Sequence, residues 1–373
     1  MGEGGAGIGA EVTNEALAIA VMAKVPVLLW GSPGTGKTSA VRALGESLGW
    51  PVEVVIGSIR EPSDFAGLPV VVDGMVALAP PSWARRLAAA ERGLLFLDEL
   101  TTAPPAVQAA MLRVVLERVV GDVALPEDVR VVAAANPPEE AADGWELAPP
   151  LANRLVHLEW PVEARSVAKG LAVGFAAPEV STAGVPSPAQ RLAARAAVAA
   201  FLEVRPTLVL QLPVVASLAS RGWPSPRSWE AVSTLLAACE ACGASEQARA
   251  TLVMGAVGEG PGLEFLSWLV NVDLPDPEAV LADPESFSLP ERSDRAFAVV
   301  TAVAAVAVAK GDVDSWAAAW RVVAKAAKTA SDVATLAART LAGARPAGAD
   351  LPAEVLELVP VLRAAGLMRT EGP

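Results

Sequence analysis

The eight residues GSPGTGKT, positions 31–38, constrain the fold of this chain more than any other stretch. The apolar run VPVLLW precedes them, and SAVRALGESL, with apolar residues at helical spacing, follows. The pattern GxxxxGK[ST] is met by Gly31, Gly36, Lys37 and Thr38, with Ser32, Pro33, Gly34 and Thr35 between them. Glycines let a backbone curl so that several N–H groups converge on one point, and the start of a helix adds its positive dipole. Strand, glycine loop and helix in that order predict a phosphate-binding loop at the edge of a sheet. Lys37 is then expected to neutralise β- and γ-phosphate charge, and the Thr38 hydroxyl to coordinate Mg²⁺.

Such a loop needs a parallel sheet behind it, and the sequence supplies one. Apolar runs occur at 26–30, 52–56, 93–97, 129–135 and 154–160. Helical patterns lie between the first two, in SWARRLAAAE before the third, and after Pro105. Near-continuous apolar strands separated by helices predict a doubly wound α/β domain with both sheet faces covered. Two hairpins interrupt the alternation. Asp73-Gly74 divides the apolar runs of 69–78, and Gly121-Asp122 divides those of 119–125. Beyond residue 161 the pattern is Ala-rich and helical, and a Pro- and Asp-rich junction at 271–291 divides it again. The expected division is a nucleotide-binding α/β domain at 1–160, a helical lid at 161–270, and a junction with a C-terminal helical extension at 271–373. Trp316 and Trp320 share a helix face at i and i+4 and predict helix packing.

Composition narrows the function classes. With 53% hydrophobic and 19% charged residues the chain has ample material for a core. A net charge of -13 with no basic cluster argues against a nucleic-acid partner. The start MGEGGAGIGAEV has no positive residue before Lys24, and Ala6 stands where a myristoylation signal after Gly2 needs Ser or Thr. The apolar run at 296–309 is too short to span a bilayer and predicts a buried helix. A cytoplasmic protein without a membrane segment is expected. Cys239 and Cys242 have CxxC spacing, but they lie in a helical pattern, and the one histidine, His157, is far away in sequence. Ordinary reduced thiols are expected, and His157 is expected in the core or at an edge.

Three further positions follow from the sheet. GLLFL ends in Asp98-Glu99, which places two carboxylates together at the strand's C-terminal end. Asp98 would hold the metal's hydration shell and Glu99 would polarise the attacking water, although such a pair alone also suits a helix N-cap. If 129–135 is the strand beside the phosphate-loop strand, Asn136 emerges on the same edge. Its neutral amide can orient the water or touch the γ-phosphate; an Asn-Pro turn with Pro137 and Pro138 is compatible with that role. Arg154, taken alone, suits a surface arginine opening a strand. In SPRSW, Ser225 has the character of an N-cap and Pro226 of the first helical residue. Arg227 then falls in the first turn, where a cation opposes the helix dipole unless an anion faces it.

GSPGTGKT, LLFLDEL, AAANPP and PPLANRL, with the two hairpins, resemble a AAA+ ATPase of the MoxR type over residues 14 to about 160. The resemblance implies hydrolysis of ATP rather than GTP, with Mg²⁺. Asn136 would then sense the γ-phosphate, and Arg154 would be a finger inserted into the ATP site of a neighbouring subunit. Arg227 would be a second sensor reaching from the helical lid to the nucleotide. Family members commonly carry Asp before the finger and an aromatic after it, whereas Asn153 and Leu155 stand here. A homo-oligomeric, hexameric ring is implied, remodelling a protein client in a chaperone-like way with a von Willebrand factor A (VWA) domain partner, often in metal-cofactor assembly. Two alternatives are a nucleic-acid-directed NTPase motor subunit and a slow nucleotide-gated scaffold.

Overall fold

The structure is a computed structural model that describes residues 9–137, 140, 144–173, 185–271, 275–355 and 358–359. Its strands are β1 (Val27–Trp30), β2 (Val52–Ile56), β3 (Leu68–Val72), β4 (Met75–Ala79), β5 (Arg92–Asp98), β6 (Val119–Val120), β7 (Val123–Ala124), β8 (Asp128–Ala135) and β9 (Val156–Glu159). The five predicted apolar runs are β1, β2, β5, β8 and β9. They form one parallel sheet in the order β2-β5-β8-β1-β9. All four residues of β1 and seven of eight in β8 are buried. Covering helices on both faces explain why these strands lack polar alternation. The core on one side includes Leu28, Trp30, Phe65, Trp83, Leu97 and Ala133. Each large apolar side chain buried there contributes about 1.5–3 kcal/mol.

Register converts this sheet into a site. Trp30, the last residue of β1, lies opposite Ala135 of β8, and Leu97 of β5 lies opposite Ala133. The residues that follow these strand ends therefore leave the sheet along one edge. The helix Lys37–Leu48 starts at that edge, as the glycine loop requires.

Both predicted hairpins form. β3 and β4 pair antiparallel around Asp73 and Gly74, at φ 52° and 78°, the left-handed pair that a two-residue turn requires. β6 and β7 pair around Gly121-Asp122. The second turn pins the base of the first hairpin: Leu78 N–H donates to Asp122 Oδ2 at 2.7 Å, and Asp122 N–H to Leu78 O at 3.0 Å. A Cβ on Gly121 would lie 2.5 Å from Leu78 O, so only glycine permits that approach. Val71, Met75 and Val76 at the hairpin end are more than 70% exposed.

The chain forms two compact units, residues 1–185 with 208–264, and residues 186–207 with 265–373. In the first, the helices Pro226–Cys242 and Glu246–Val257 pack on the helix Ala10–Met22, and Glu246–Val257 also packs on β9. Glu15 holds Ser245, the N-cap of the second of these helices, accepting from its N–H at 2.8 Å and from its Oγ at 2.6 Å. Cys239 and Cys242 lie in Pro226–Cys242 as free thiols, and burial pushes Cys239 up to about 12.

The second unit is helical. Its helices include Pro188–Val204, Pro277–Ala282, Ser293–Lys310, Val313–Ala327 and Ser331–Ala342, and residues of the last four share its core. The apolar run 296–309 is inside Ser293–Lys310 and contributes Val299, Val300 and Val303 to that core. Trp316 and Trp320 are buried with their rings edge-to-face at 5.9 Å, and Trp316 Nε1–H donates to Leu341 O at 2.9 Å. Among the described residues no helix is long and apolar enough to cross a membrane.

Candidate active site

The phosphate loop is folded as its composition requires. Gly34 and Gly36 take φ of 76° and 89°, conformations that other residues rarely adopt. Thr35 Oγ1 donates to Ser32 O at 2.8 Å inside the loop. Trp160, just after β9, braces it from outside, with Nε1–H donating to Thr35 O at 3.1 Å. Gly31, Ser32, Pro33 and Gly34 lead into Gly36, which precedes the first helical residue, Lys37.

Lys37 is buried, with its ammonium among acceptors: Gly31 O at 2.5 Å, Ser32 O at 2.9 Å and Asn136 Oδ1 at 3.2 Å. Burial lowers its pKa, and the charges of Asp98 and Glu140 partly offset that. Phosphate oxygens can replace these neutral acceptors and supply the countercharge that the loop carbonyls lack.

Thr38 Oγ1 donates to Asp98 Oδ2 at 2.8 Å, and Asp98 Oδ1 accepts from Glu99 N–H at 2.9 Å. A hydroxyl beside a carboxylate offers the hard oxygen donors that Mg²⁺ takes while keeping several of its waters. Among the described residues no group of three or more His, Cys, Asp or Glu could hold a metal alone. Thr38 and Asp98 are the residues that would offer oxygens to a divalent ion here. Glu99 takes φ 58°, a left-handed conformation that costs an ordinary residue about 1–2 kcal/mol. Its Oε2 accepts from Ser58 Oγ in the short helical turn Gly57–Ile59 that follows β2.

Asn136 is set by its backbone as well as by Lys37. Thr101 Oγ1 donates to Asn136 O at 3.0 Å, and the neighbouring Leu100 N–H donates to Ala134 O at 2.9 Å. Lys37 with Asn136 and Thr38 with Asp98 thus form two hydrogen-bonded pairs, and Glu99 is tied to the second through its backbone N–H. Pro138 of the expected Asn-Pro turn lies outside the described residues.

Arg154 and Arg227 form a separate pair. Arg154 lies in the turn before β9, half-buried, with Nη1 donating to Pro150 O at 2.5 Å and Nε buried without a partner. Burial lowers its pKa, and the like charge of Arg227 lowers it further. Arg227 is exposed in the first turn of Pro226–Cys242, whose N-cap is Ser225 as expected. Among the described residues neither arginine has an ion-pair partner.

Sequence reasoning passed over Ser58 and Trp160, and the bonding of Asn153 and His157. Ser58 follows an apolar run, as Asn136 does, so the same strand-end logic would have found it. His157 is buried, accepts from Trp30 Nε1–H at Nδ1 (2.8 Å) and donates from Nε2 to Ala152 O (2.9 Å). Arg221 lies over the other ring of this group, 4.0 Å from the Trp30 centroid, and pairs with Glu159 at 2.6 Å.

Residues 26–155 match the AAA domain of the dynein-related subfamily. Protein MoxR of Methylorubrum extorquens is 33% identical over 113 residues, which are 30% of this chain and 32% of that protein. The Nif-specific regulatory protein of Bradyrhizobium diazoefficiens is 32% identical over 140 residues, 33% of this chain and 22% of that protein. The chain therefore spans a third or less of the curated relatives it matches. A solved variant of RuvB from Thermotoga maritima aligns over 74% of this chain and 76% of its own, at 17% identity and a TM-score of 0.31. Residues 26–155 thus carry a AAA domain, and part of the chain is similar to protein MoxR.

Proposed function

We propose that this protein hydrolyses ATP at seams between identical subunits of a hexameric ring and uses the cycle to remodel a protein client in the cytoplasm. The observation that carries the proposal is the division of charge. Lys37, Thr38, Asp98, Glu99 and Asn136 gather at one sheet edge, while Arg154 has a buried Nε without a partner and no carboxylate to balance it. A partly buried guanidinium with an unpartnered Nε beside the like charge of Arg227 gains from an arriving anion, and a neighbour's γ-phosphate is such an anion.

In this mechanism the loop N–H groups and Lys37 hold the phosphates, with Gly31, Ser32, Pro33, Gly34, Thr35 and Gly36 shaping the cradle. Mg²⁺ held by Thr38 and Asp98 would neutralise charge on the β- and γ-oxygens. Glu99, released from Ser58, accepts a proton from the attacking water, and Asn136 orients that water or the γ-phosphate. Arg154 from the adjacent subunit stabilises the charge of the transition state, and Arg227 reports phosphate state to the helices that follow it. The exposed apolar end of the β3–β4 hairpin supports a role in gripping a client or a VWA-domain partner.

Arg154→Ala is expected to retain ATP binding and to lose turnover by roughly 10³- to 10⁵-fold, the range for such fingers. Wild-type turnover per subunit should also fall on dilution. A variant that hydrolyses at the wild-type rate, or a dilute monomer with full activity, would end the proposal.

A further inference from the structure

Asn153 is buried between the Arg154 turn and the helix that carries Arg227. Both ends of its amide are committed across the fold: Nδ2–H donates to Trp223 O at 2.8 Å, and Oδ1 accepts from Ser225 Oγ at 2.7 Å. Ser225 is itself the buried N-cap of Pro226–Cys242, exchanging hydrogen bonds with Ser228. One side chain therefore ties the residue before Arg154 to the residue two before Arg227. His157 of β9 also holds this segment, through Ala152 O at 2.9 Å. The turn is gripped from strand and helix at once, while Arg154 keeps its unpartnered Nε.

We propose that Asn153 is a positioning residue for Arg154, clamping the arginine's turn to the capped helix start so that the guanidinium is held ready for an anion. The chemistry selects an amide. Trp223 offers a carbonyl, which needs a donor, and Ser225 offers its hydroxyl proton, which needs an acceptor. Aspartate supplies only acceptors when ionised and would face the Trp223 carbonyl with like polarity. Asparagine at this position is thus matched to the partners this chain provides.

The inference rests on the seam mechanism above and is tested on the full-length protein by steady-state ATP hydrolysis, with binding of a fluorescent ATP analogue measured in parallel. Asn153→Ala is expected to lower kcat at least tenfold with little change in KM or analogue binding. Added to Arg154→Ala it is expected to cost nothing more, because it acts through that arginine. If Asn153→Ala does not fold, Asn153→Asp has the same shape and is expected to give the same pattern. Wild-type kcat in the variant, or an equal loss with and without Arg154, would overturn the clamp. If Arg154→Ala loses turnover and Asn153→Ala does not, the clamp alone fails; if Arg154→Ala itself turns over normally, the seam mechanism fails and takes the clamp with it.

Discussion

Lowering the pH should weaken this fold through a single imidazole. His157 accepts a proton from Trp30 and gives one to Ala152 O, so its hydrogen bonds require the neutral ring protonated at Nε2. A second proton, on Nδ1, would point at the Trp30 N–H, and burial together with Arg221 opposes it. Burial, the largest cause, lowers the pKa from the ordinary 6.5 to about 4, with the Ala152 carbonyl working in the other direction. The folded pKa lies below the unfolded one, so the contribution is complete above about 6.5. It is lost as the pH falls toward about 4, because the unfolded chain takes up the proton first. At about 1.4 kcal/mol per tenfold the gap amounts to about 3 kcal/mol. Many carboxylates titrate in the lower part of that window, so the measurement must be a difference. His157→Gln keeps both bonds, with the amide oxygen toward Trp30 and the amide nitrogen toward Ala152, but has nothing to titrate. Urea unfolding followed by tryptophan fluorescence should show wild type losing about 3 kcal/mol relative to His157→Gln between those pH values. As the only histidine in the chain, His157 should also give one imidazole NMR signal that titrates near 4. A signal titrating near 6.5, or a difference between the proteins that stays flat with pH, would refute the neutral bridge.

Glu99→Gln should bind ATP normally and lose turnover by about 10²- to 10⁴-fold, as removal of a general base does, measured by phosphate release against analogue binding. Ser58→Ala removes the hydroxyl that holds Glu99 and should raise basal turnover by up to about tenfold, the worth of one charge-assisted hydrogen bond; an unchanged rate would show that Ser58 imposes no restraint. Gly255→Ala places a Cβ 2.3 Å from the backbone carbonyl of His157 and should destabilise the first unit by about 1–3 kcal/mol in urea titration, since a strand backbone cannot step aside.

The phosphate loop was legible because its meaning is local: Gly34 and Gly36 need only their own φ angles, and Lys37 and Thr38 follow in the same turn of chain. The same holds for the Asp73-Gly74 turn and for Ser225 capping Pro226–Cys242. Strand periodicity carried the parallel sheet, and with it the shared edge for Asp98 and Asn136. The partners of these groups were less legible. Ser58 was within reach of strand-end logic, but its bond to Glu99 depends on β2 and β5 being neighbours. The residues around Arg154 had no local signature at all, since Asn153 meets Ser225 across 72 positions and His157 meets Trp30 across 127.

By itself, the sequence determined the covered sheet, the glycine loop, the two turns and the capped helix, because backbone conformation and apolar period are properties of adjacent residues. Only the tertiary structure decided that His157 is a neutral bridge, that an amide at Asn153 joins two arginine-bearing segments, and that residues 186–207 belong with 265–373. Each of these depends on donors, acceptors and apolar faces far apart in the chain, whose pairing is settled only when packing excludes water from between them.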